Sequence, residues 1–404
     1  MTSMLTGHPL PLSGLRVLDL TTVIYGPYTT QLLGDFGADV IKIEPPGGDM
    51  TRDIGVARNK KMTALFLGSN RNKRSLILDL KREKARAALW RLIESADVFV
   101  HNIRPQKIGV LGFDADSVLA RKPSIVYGAL LGYREDGPYG GMPAYDDVIQ
   151  GQSGLAGTFA ARDGEPLLMP TIVADKTAGL LAANGLMAGV IQRMATGKGV
   201  YVETSMFEGL VGYTLLEHQD GTIFSPPESA PGYPRALSPE RRPHRTADGY
   251  LCMLAYTDKH WRRFWALAGL PEHSDDPRFV TVTTRADNID ALYHIAGKAL
   301  EERTTEQWLD ALSKAEIPAG PVNRLEDLRN DRHLSATGFF RPFDHPSEGL
   351  LELTDTAFRF DRMSLPLHRH QPRLGEHNRE VLLEAGLTAE DIDALENETL
   401  ENER

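Results

Sequence analysis

Apolar residues in the first half of the chain follow two alternating rhythms. Short, mostly apolar runs occur at 15–20 (LRVLDL), 38–44 (ADVIKIE), 75–80, 97–102 and 124–131. Such runs are the pattern of strands buried on both faces. Between them, residues 28–36, 83–95 and, more briefly, 116–121 carry the 3.6-residue spacing of helices. Pro27 suits the first position of a helix, and Gly37 suits a helix stop. Strands alternating with helices predict βαβ units, and so an α/β fold with a Rossmann-like parallel sheet and helices on both faces. In such folds ligands bind beyond the carboxyl ends of the strands. No period of 20–50 residues recurs, which excludes a repeat architecture.

The rhythm changes after residue 131. A glycine-rich run at 132–142 reads as a loop, and 147–154 as a helix. The sharpest helix is predicted over 175–195, with Asp175 at its N-cap and Gly197 at its stop. Its interior holds Ala178, Gly179, Ala182, Ala183, Gly185, Ala188 and Gly189. Glycine costs a helix roughly 1 kcal/mol against alanine, so this run predicts another backbone packed closely against it. A short strand at 200–202 and a helix at 203–218 follow. Residues 225–243 contain six prolines and read as a linker or long loop. Beyond it, 250–256 is strand-like, and 258–269, 286–303 and 305–315 are amphipathic helices, which together predict a smaller α+β domain. The chain turns strand-rich again after 336 and ends in helices at 376–385 and 389–396.

Composition bounds the chemistry. With 41% hydrophobic and 25% charged residues, 404 residues can bury substantial cores without staples. The single cysteine, Cys252, excludes a disulfide framework or cysteine metal cluster within one chain and fits a reducing, cytoplasmic setting. The N-terminal residues lack the basic-then-apolar order of a signal peptide. The most apolar stretch, 178–191, is interrupted by glycines and Asn184 and is too short to span a bilayer. A net charge of −10 argues against nonspecific nucleic-acid binding, so an anionic ligand must meet a local basic site. Lys73, Arg74, Lys81, Arg104 and Lys107 are the candidates, with a solvated charged face the better reading for Lys73 and Arg74. The first βα turn lacks G-x-G-x-x-G, which leaves a dinucleotide site without support.

Eight stretches, in order and over nearly the whole chain, carry a family resemblance. They are PLSGLRVLDLTTVIYGP, LGDFGADVIKIEPPGGDMTR, NRNKRSLILDLK, ADVFVHNIRP, YDDVIQGQSGL, ADKTAGLLAANGLMAGVIQRMATGKGVYVETSMFEG, IPAGPVN and PRLGEHNREVL. The sequence resembles the class III coenzyme A transferases, the formyl-CoA transferase and carnitine CoA-transferase (CaiB/BaiF) type. The resemblance implies acyl-CoA and a carboxylic acid as substrates, no metal and no tightly bound cofactor. It also implies a homodimer of two subunits threaded through one another as linked rings. With the return of strand-rich sequence after 336, it predicts a discontinuous CoA-binding domain, 1–215 and 336–404. A proline-rich linker at 216–244 and a small α+β domain at 245–335 complete the expected organisation.

Asp175 by itself reads as a capping aspartate. The resemblance assigns it as the nucleophile, and a carboxylate nucleophile must be ionised, a state that a helix N-terminus favours. Asp146 is implied as a second catalytic carboxylate in contact with the reacting acyl group, and Tyr145 as a residue lining the site. Without the resemblance, Tyr145, Asp146 and Asp147 read equally as a helix start. The related α-methylacyl-CoA racemases carry a histidine where this chain has Tyr145. A tyrosine, with a reference pKa of about 10, is ill suited to moving the proton of a racemisation. CoA contacts are carried over onto Ile24, Leu78, Asp79, Leu80, Lys81, Asn102, Ile103 and Arg104. Among these, Leu80 is expected against the adenine, and Lys81 and Arg104 on phosphates.

Four departures limit the match. Formyl-CoA transferase has a glutamine in place of Ile24 and arginines in place of Pro45 and Val110. Its triple-glycine loop has no equivalent in 225–243. These count against formate and oxalate as substrates, and Ile24 with Tyr25 implies an apolar pocket mouth suited to a larger acyl group. The readings to be separated are therefore a CoA-transferase, an acyl-CoA racemase or isomerase on the same fold, and a noncatalytic acyl-CoA-binding protein.

Overall fold

The computed structural model describes residues 4–5 and 8–400. The chain divides into two units. The first comprises the chain up to Ser153, Met169–Gly212 and the stretch from Ala336; the second comprises Gly154–Leu168 and Tyr213–Ser335.

The first unit is built on a six-stranded sheet. Its strands are β1 (Arg16–Leu20), β2 (Asp39–Glu44), β3 (Lys73–Ile77), β4 (Val98–His101), β5 (Val126–Leu131) and β6 (Val200–Ser205). Every pairing is parallel, in the order β3-β2-β1-β4-β5-β6. Strand order therefore reverses between β1 and β4, and the crevice at that switch point is where such sheets bind ligands. The expected Rossmann-like sheet is present, and β5 shows why it was legible: all six of its residues are buried, so the sequence reads as one apolar run.

Helices cover both faces. Helix α1 (Tyr25–Asp35) joins β1 to β2. It begins three residues earlier than its apolar spacing predicts, so Pro27 is its third residue; Gly37 follows its end with φ +101°, as a helix stop requires. Helix α2 (Glu83–Ser95) buries Ala85, Ala88, Leu89, Leu92 and Ile93, a single helical face. Short helices α3 (Pro105–Leu111) and α4 (Ala115–Arg121) lie between β4 and β5. Helix α5 (Asp146–Gln152) and the 24-residue helix α6 (Val173–Thr196) precede β6. The strand expected at 200–202 runs on to Ser205, which moves Glu203 from the predicted helix into the sheet; α7 (Met206–His218) starts only after it.

The small residues of α6 meet a close neighbour, as expected. A Cβ on Gly189 would lie 2.9 Å from Val126 and 3.0 Å from Val202, so the helix rests directly on β5 and β6. On the adjoining face, the Thr29 hydroxyl of α1 donates to the Gly179 carbonyl at 3.2 Å.

Lys73 and Arg74 are not on a solvated face. Both are buried: Lys73 pairs with Asp19 at 3.0 Å, and Arg74 pairs with Asp39, Glu380 and Glu384. Lys73 is enclosed by Asp19, the Pro27 carbonyl (2.9 Å) and the Asn70 side chain (3.0 Å), whereas Arg74 is covered by the C-terminal return of the chain. The N–H of His377 donates to the Ser75 carbonyl (3.0 Å), and the Asn378 side chain accepts the N–H of Ile77 (2.8 Å). The stretch PRLGEHNREVL thus closes the edge strand β3, which would otherwise offer unpaired backbone groups.

The second unit has its own core of Trp261, Phe264, Trp265, Leu292, Trp308 and Ile317. A three-stranded antiparallel sheet, His244–Arg245, Tyr250–Met253 and Ala319–Pro321, packs with helices Asp258–Ala268, Ile289–Leu300 and Thr305–Lys314. The helix expected over 286–303 is two helices, Val282–Asp287 and Ile289–Leu300, broken at Asn288, whose side-chain amide turns back to the Thr284 carbonyl. The proline-rich stretch lies in this unit and contains a short helix, Pro234–Leu237. No helix among the described residues is long and apolar enough to cross a membrane.

Candidate active site

Some of the sequence-predicted residues fall into two neighbouring groups at the carboxyl ends of β1, β4 and β5. The first lines a cleft of about 290 Å³ at the switch point, formed by Thr22, Val23, Asn102, Arg104, Tyr133 and Tyr145 among others. Asn102 does not face the cleft freely. Its amide oxygen accepts the Thr22 N–H (3.1 Å) and its amide nitrogen donates to the Thr22 carbonyl (2.9 Å). It therefore clamps the loop after β1 to the loop after β4. Arg104 is exposed at the start of α3, and neither it nor Lys81 forms an ion pair among the described residues.

His101, at the end of β4, fixes this second loop from behind. Its Nδ1 accepts the Ile103 N–H (3.1 Å), so Nε2 carries the proton and donates to the Tyr127 hydroxyl (2.8 Å), which in turn donates to the Phe113 carbonyl. Burial lowers the His101 pKa to about 4, which keeps the ring neutral and that tautomer in place.

The second group surrounds Asp175. This residue is not an N-cap: α6 begins at Val173, and Asp175 is its third residue. The cap comes from another helix. The Asp146 Oδ1 accepts the N–H groups of Ala174 (2.7 Å) and Asp175 (3.1 Å), while its Oδ2 accepts from the Gln150 amide (2.6 Å). Gln150 also accepts the Met169 N–H at 2.8 Å, which ties down the chain entering α6. Capping by its own side chain would have engaged the Asp175 carboxylate with backbone; capping from Asp146 spares it. Both residues are buried.

Electrostatics at Asp175 run against the simple helix-end argument. Burial, then the neighbouring Asp146 charge, raise its pKa to about 6, opposed by the backbone N–H of Tyr25. That rise of about two units is worth roughly 3 kcal/mol, more than the 0.3–1 kcal/mol a helix terminus usually contributes. The carboxylate is therefore poised near neutrality: ionised at pH 7, yet poorly solvated. Tyr25 is buried, and its hydroxyl donates to the Thr204 carbonyl at 2.8 Å. Burial and the charges of Asp175 and Glu203 keep it protonated by raising its pKa.

The remaining candidates are dispersed. Leu78 is buried in the core beneath β3, and Leu80 and Ile103 pack against that same core. Asp79 accepts the Lys81 N–H at 3.2 Å, and the Lys81 side chain is exposed. Ile24 is buried with Tyr25. Among the described residues no group of three His, Cys, Asp or Glu side chains could hold a metal ion. Sequence reasoning missed Asp49, which grips the loop after β1, and His101. The stretches GGDMTR and ADVFVHNIRP flagged only the neighbourhoods of Asp49 and His101, not the residues themselves.

Fold and cleft together define a doubly wound α/β protein with a candidate ligand cleft at the strand switch point. The sequence matches the profile of CoA-transferase family III over residues 12–378. It is 31% identical over 375 residues to succinyl-CoA:glutarate CoA-transferase of Mus musculus, covering 93% of this chain and 86% of that protein. It is 34% identical over 325 residues to acetyl-CoA:oxalate CoA-transferase of Acetobacter aceti, covering 79% and 82%. Among solved structures, the D175A mutant of Rv3272 from Mycobacterium tuberculosis superimposes with a TM-score of 0.80 at 28% identity, covering 91% of this chain and 98% of that one. A CAIB/BAIF family protein from Brucella suis gives 0.77 at 29% identity, covering 93% and 99%. The chain belongs to CoA-transferase family III, and it is an enzyme of that class.

Proposed function

We propose that the enzyme moves CoA from an acyl-CoA to a free carboxylic acid with Asp175 as the nucleophile. The observation that carries this reading is a buried carboxylate whose own helix is capped by a different residue, Asp146. In the first step a carboxylate oxygen of Asp175 attacks the thioester carbonyl; the C–S bond breaks and CoA leaves as thiolate. The product is a mixed anhydride. The thiolate then attacks the aspartyl carbonyl and expels the donor acid as carboxylate, which leaves an Asp175–CoA thioester. The acceptor carboxylate attacks that thioester and displaces CoA thiolate. Thiolate attack on the acceptor's acyl carbonyl releases the new acyl-CoA and restores Asp175. No net proton is gained or lost. Poor solvation of the Asp175 carboxylate suits it to attack, and its pKa of about 6 keeps it ionised at neutral pH.

In this reading Tyr145 and Arg104 border the acyl-CoA through the switch-point cleft, with Arg104 and Lys81 on phosphates. Asn102 and Asp146 act by holding backbone in place. The working form is a homodimer, as the family resemblance implies. Succinyl-CoA with glutarate, and acetyl- or formyl-CoA with oxalate, are the first pairs to assay, since proteins named for those reactions are among the relatives. The test is mass spectrometry of the enzyme incubated with an accepted acyl-CoA alone. The expected result is a gain at Asp175 of the mass of CoA less one water, removed by hydroxylamine with loss of activity. Normal transfer by folded Asp175→Asn enzyme would sink the mechanism.

A further inference from the structure

The loop between β1 and α1 adopts a conformation that its own residues disfavour. Val23 has φ +71°, in the left-handed region where a β-branched side chain clashes with its own backbone. Such conformations persist where the surroundings over-determine them, and here the holding groups are all external to the loop. Asn102 clamps both polar groups of the Thr22 backbone (3.1 and 2.9 Å). Lys42 Nζ donates to the Thr21 carbonyl (2.8 Å). The Asp49 Oδ1 accepts the Val23 N–H at 3.2 Å, the bond made at the strained residue itself. Asp49 is wholly buried and fixed in turn by the amide and hydroxyl of Thr51 (2.9 Å each) and by an ion pair with Lys42 (2.8 Å).

The strained turn leads directly to Tyr25, whose backbone meets the helix of the nucleophile. Gly179 stands one helical turn after Asp175 on the same face of α6, and a Cβ there would lie 3.2 Å from the Tyr25 carbonyl oxygen. The single proton of the Thr29 hydroxyl is shared between that carbonyl (2.9 Å) and the Gly179 carbonyl (3.2 Å). The Tyr25 backbone is thus seated on α6 beside Asp175, two residues after the left-handed turn. A relaxed φ at Val23 would redirect the chain away from this seat.

We propose that Asp49 is a positioning residue for the transfer reaction: its grip on the Val23 amide holds the turn that lays the Tyr25 backbone against the Asp175 carboxylate. The proposal rests on the reading of Asp175 as nucleophile. Asp49→Ala removes the grip, and should lower kcat at least about tenfold, a larger change than that in the KM for acyl-CoA, because the turn also borders the cleft. Asp49→Asn keeps an acceptor and should recover part of that loss. Val23→Gly placed in the Asp49→Ala background should also recover part of it, because glycine adopts positive φ without a clash. Folded Asp49→Ala enzyme with kcat within twofold of wild type, or a double variant no better than the single, would overturn the proposal.

If Asp49→Ala does not fold, single variants at position 23 decide the matter. Val23→Gly should unfold at a higher temperature than Val23→Ala, by on the order of 2 °C, and the reverse order would show that the turn is not strained. Labelling separates the two readings. Wild-type enzyme that forms no CoA adduct at Asp175 defeats the nucleophile assignment. A wild-type adduct that forms equally fast in Asp49→Ala defeats only the role of Asp49.

Discussion

Asp175 is governed by a contest that its sequence position conceals. Its pKa of about 6 lies above the ordinary aspartate value because burial and Asp146 outweigh the opposing Tyr25 amide. Turnover under limiting acyl-CoA should therefore rise with pH through about 6 and level off above it. Asp146→Asn removes the repelling charge and should move this acid limb to lower pH; a pH–rate profile checks both. The same shift has a sign for stability. A folded-state pKa above the unfolded value contributes stability that is full below about pH 4 and is lost as pH rises through about 6. Asp175→Asn, which removes an uncomfortable buried charge, should consequently be no less stable than wild type at pH 7, and by as much as about 3 kcal/mol more stable. Its transfer activity should fall by roughly a thousandfold or more. Urea unfolding and initial rates on the same protein test the pair. Asp146→Ala should behave differently, because it strips the cap from α6, at a cost of about 1–2 kcal/mol. Arg104→Ala and Lys81→Ala should raise the KM for acyl-CoA about ten- to hundredfold with little change in kcat if each side chain holds a phosphate.

At the level of elements, α6 shows how packing and chemistry share one helix. Its small residues let β5 and β6 press against one part of it and the start of α1 against another. These contacts make separate demands. A Cβ at Gly179 would lie 2.9 Å from the Tyr28 ring and 3.2 Å from the Tyr25 carbonyl, whereas at Gly185 the nearest atom is a Val202 methyl at 3.2 Å. Gly179→Ala should cost about 1–3 kcal/mol through overpacking and lower kcat by moving the Tyr25 backbone. Gly185→Ala should come out near neutral in stability, since alanine recovers about 1 kcal/mol of helix propensity, and should leave kcat within about twofold. Denaturation midpoints and rates for the two variants, measured side by side, distinguish a site constraint from a packing one.

At the scale of the whole molecule, the family resemblance predicts a threaded homodimer. Linked rings cannot separate without unfolding, so dilution to nanomolar concentration should yield no folded monomer. Sedimentation velocity on active enzyme tests this, and a folded, active monomer would exclude threading. The parallel sheet was legible in the sequence because strands buried on both faces are apolar throughout, and helices between them alternate at a different period. The family was legible because eight stretches lie in order along the chain. Lys73 and Arg74 were misread because charge alone does not reveal a cover. Arg74 is covered by residues 369–384, some three hundred positions away, which fold back over β3, and Lys73 is enclosed by Asp19, Pro27 and Asn70. Asp175 was misread as its own cap because the group that caps α6, Asp146, lies 29 residues earlier and reaches it only through the packing of α5. The strained turn at Val23 left no mark in the pattern at all, since valine is an ordinary strand residue and nothing local asks for positive φ. Local periodicity and motif order thus determined the fold class, the family and the identity of the candidate nucleophile. Which charges are buried, which carboxylate is left free and which backbone is held under strain were decided by contacts distant in sequence, and those form only when the sheet assembles.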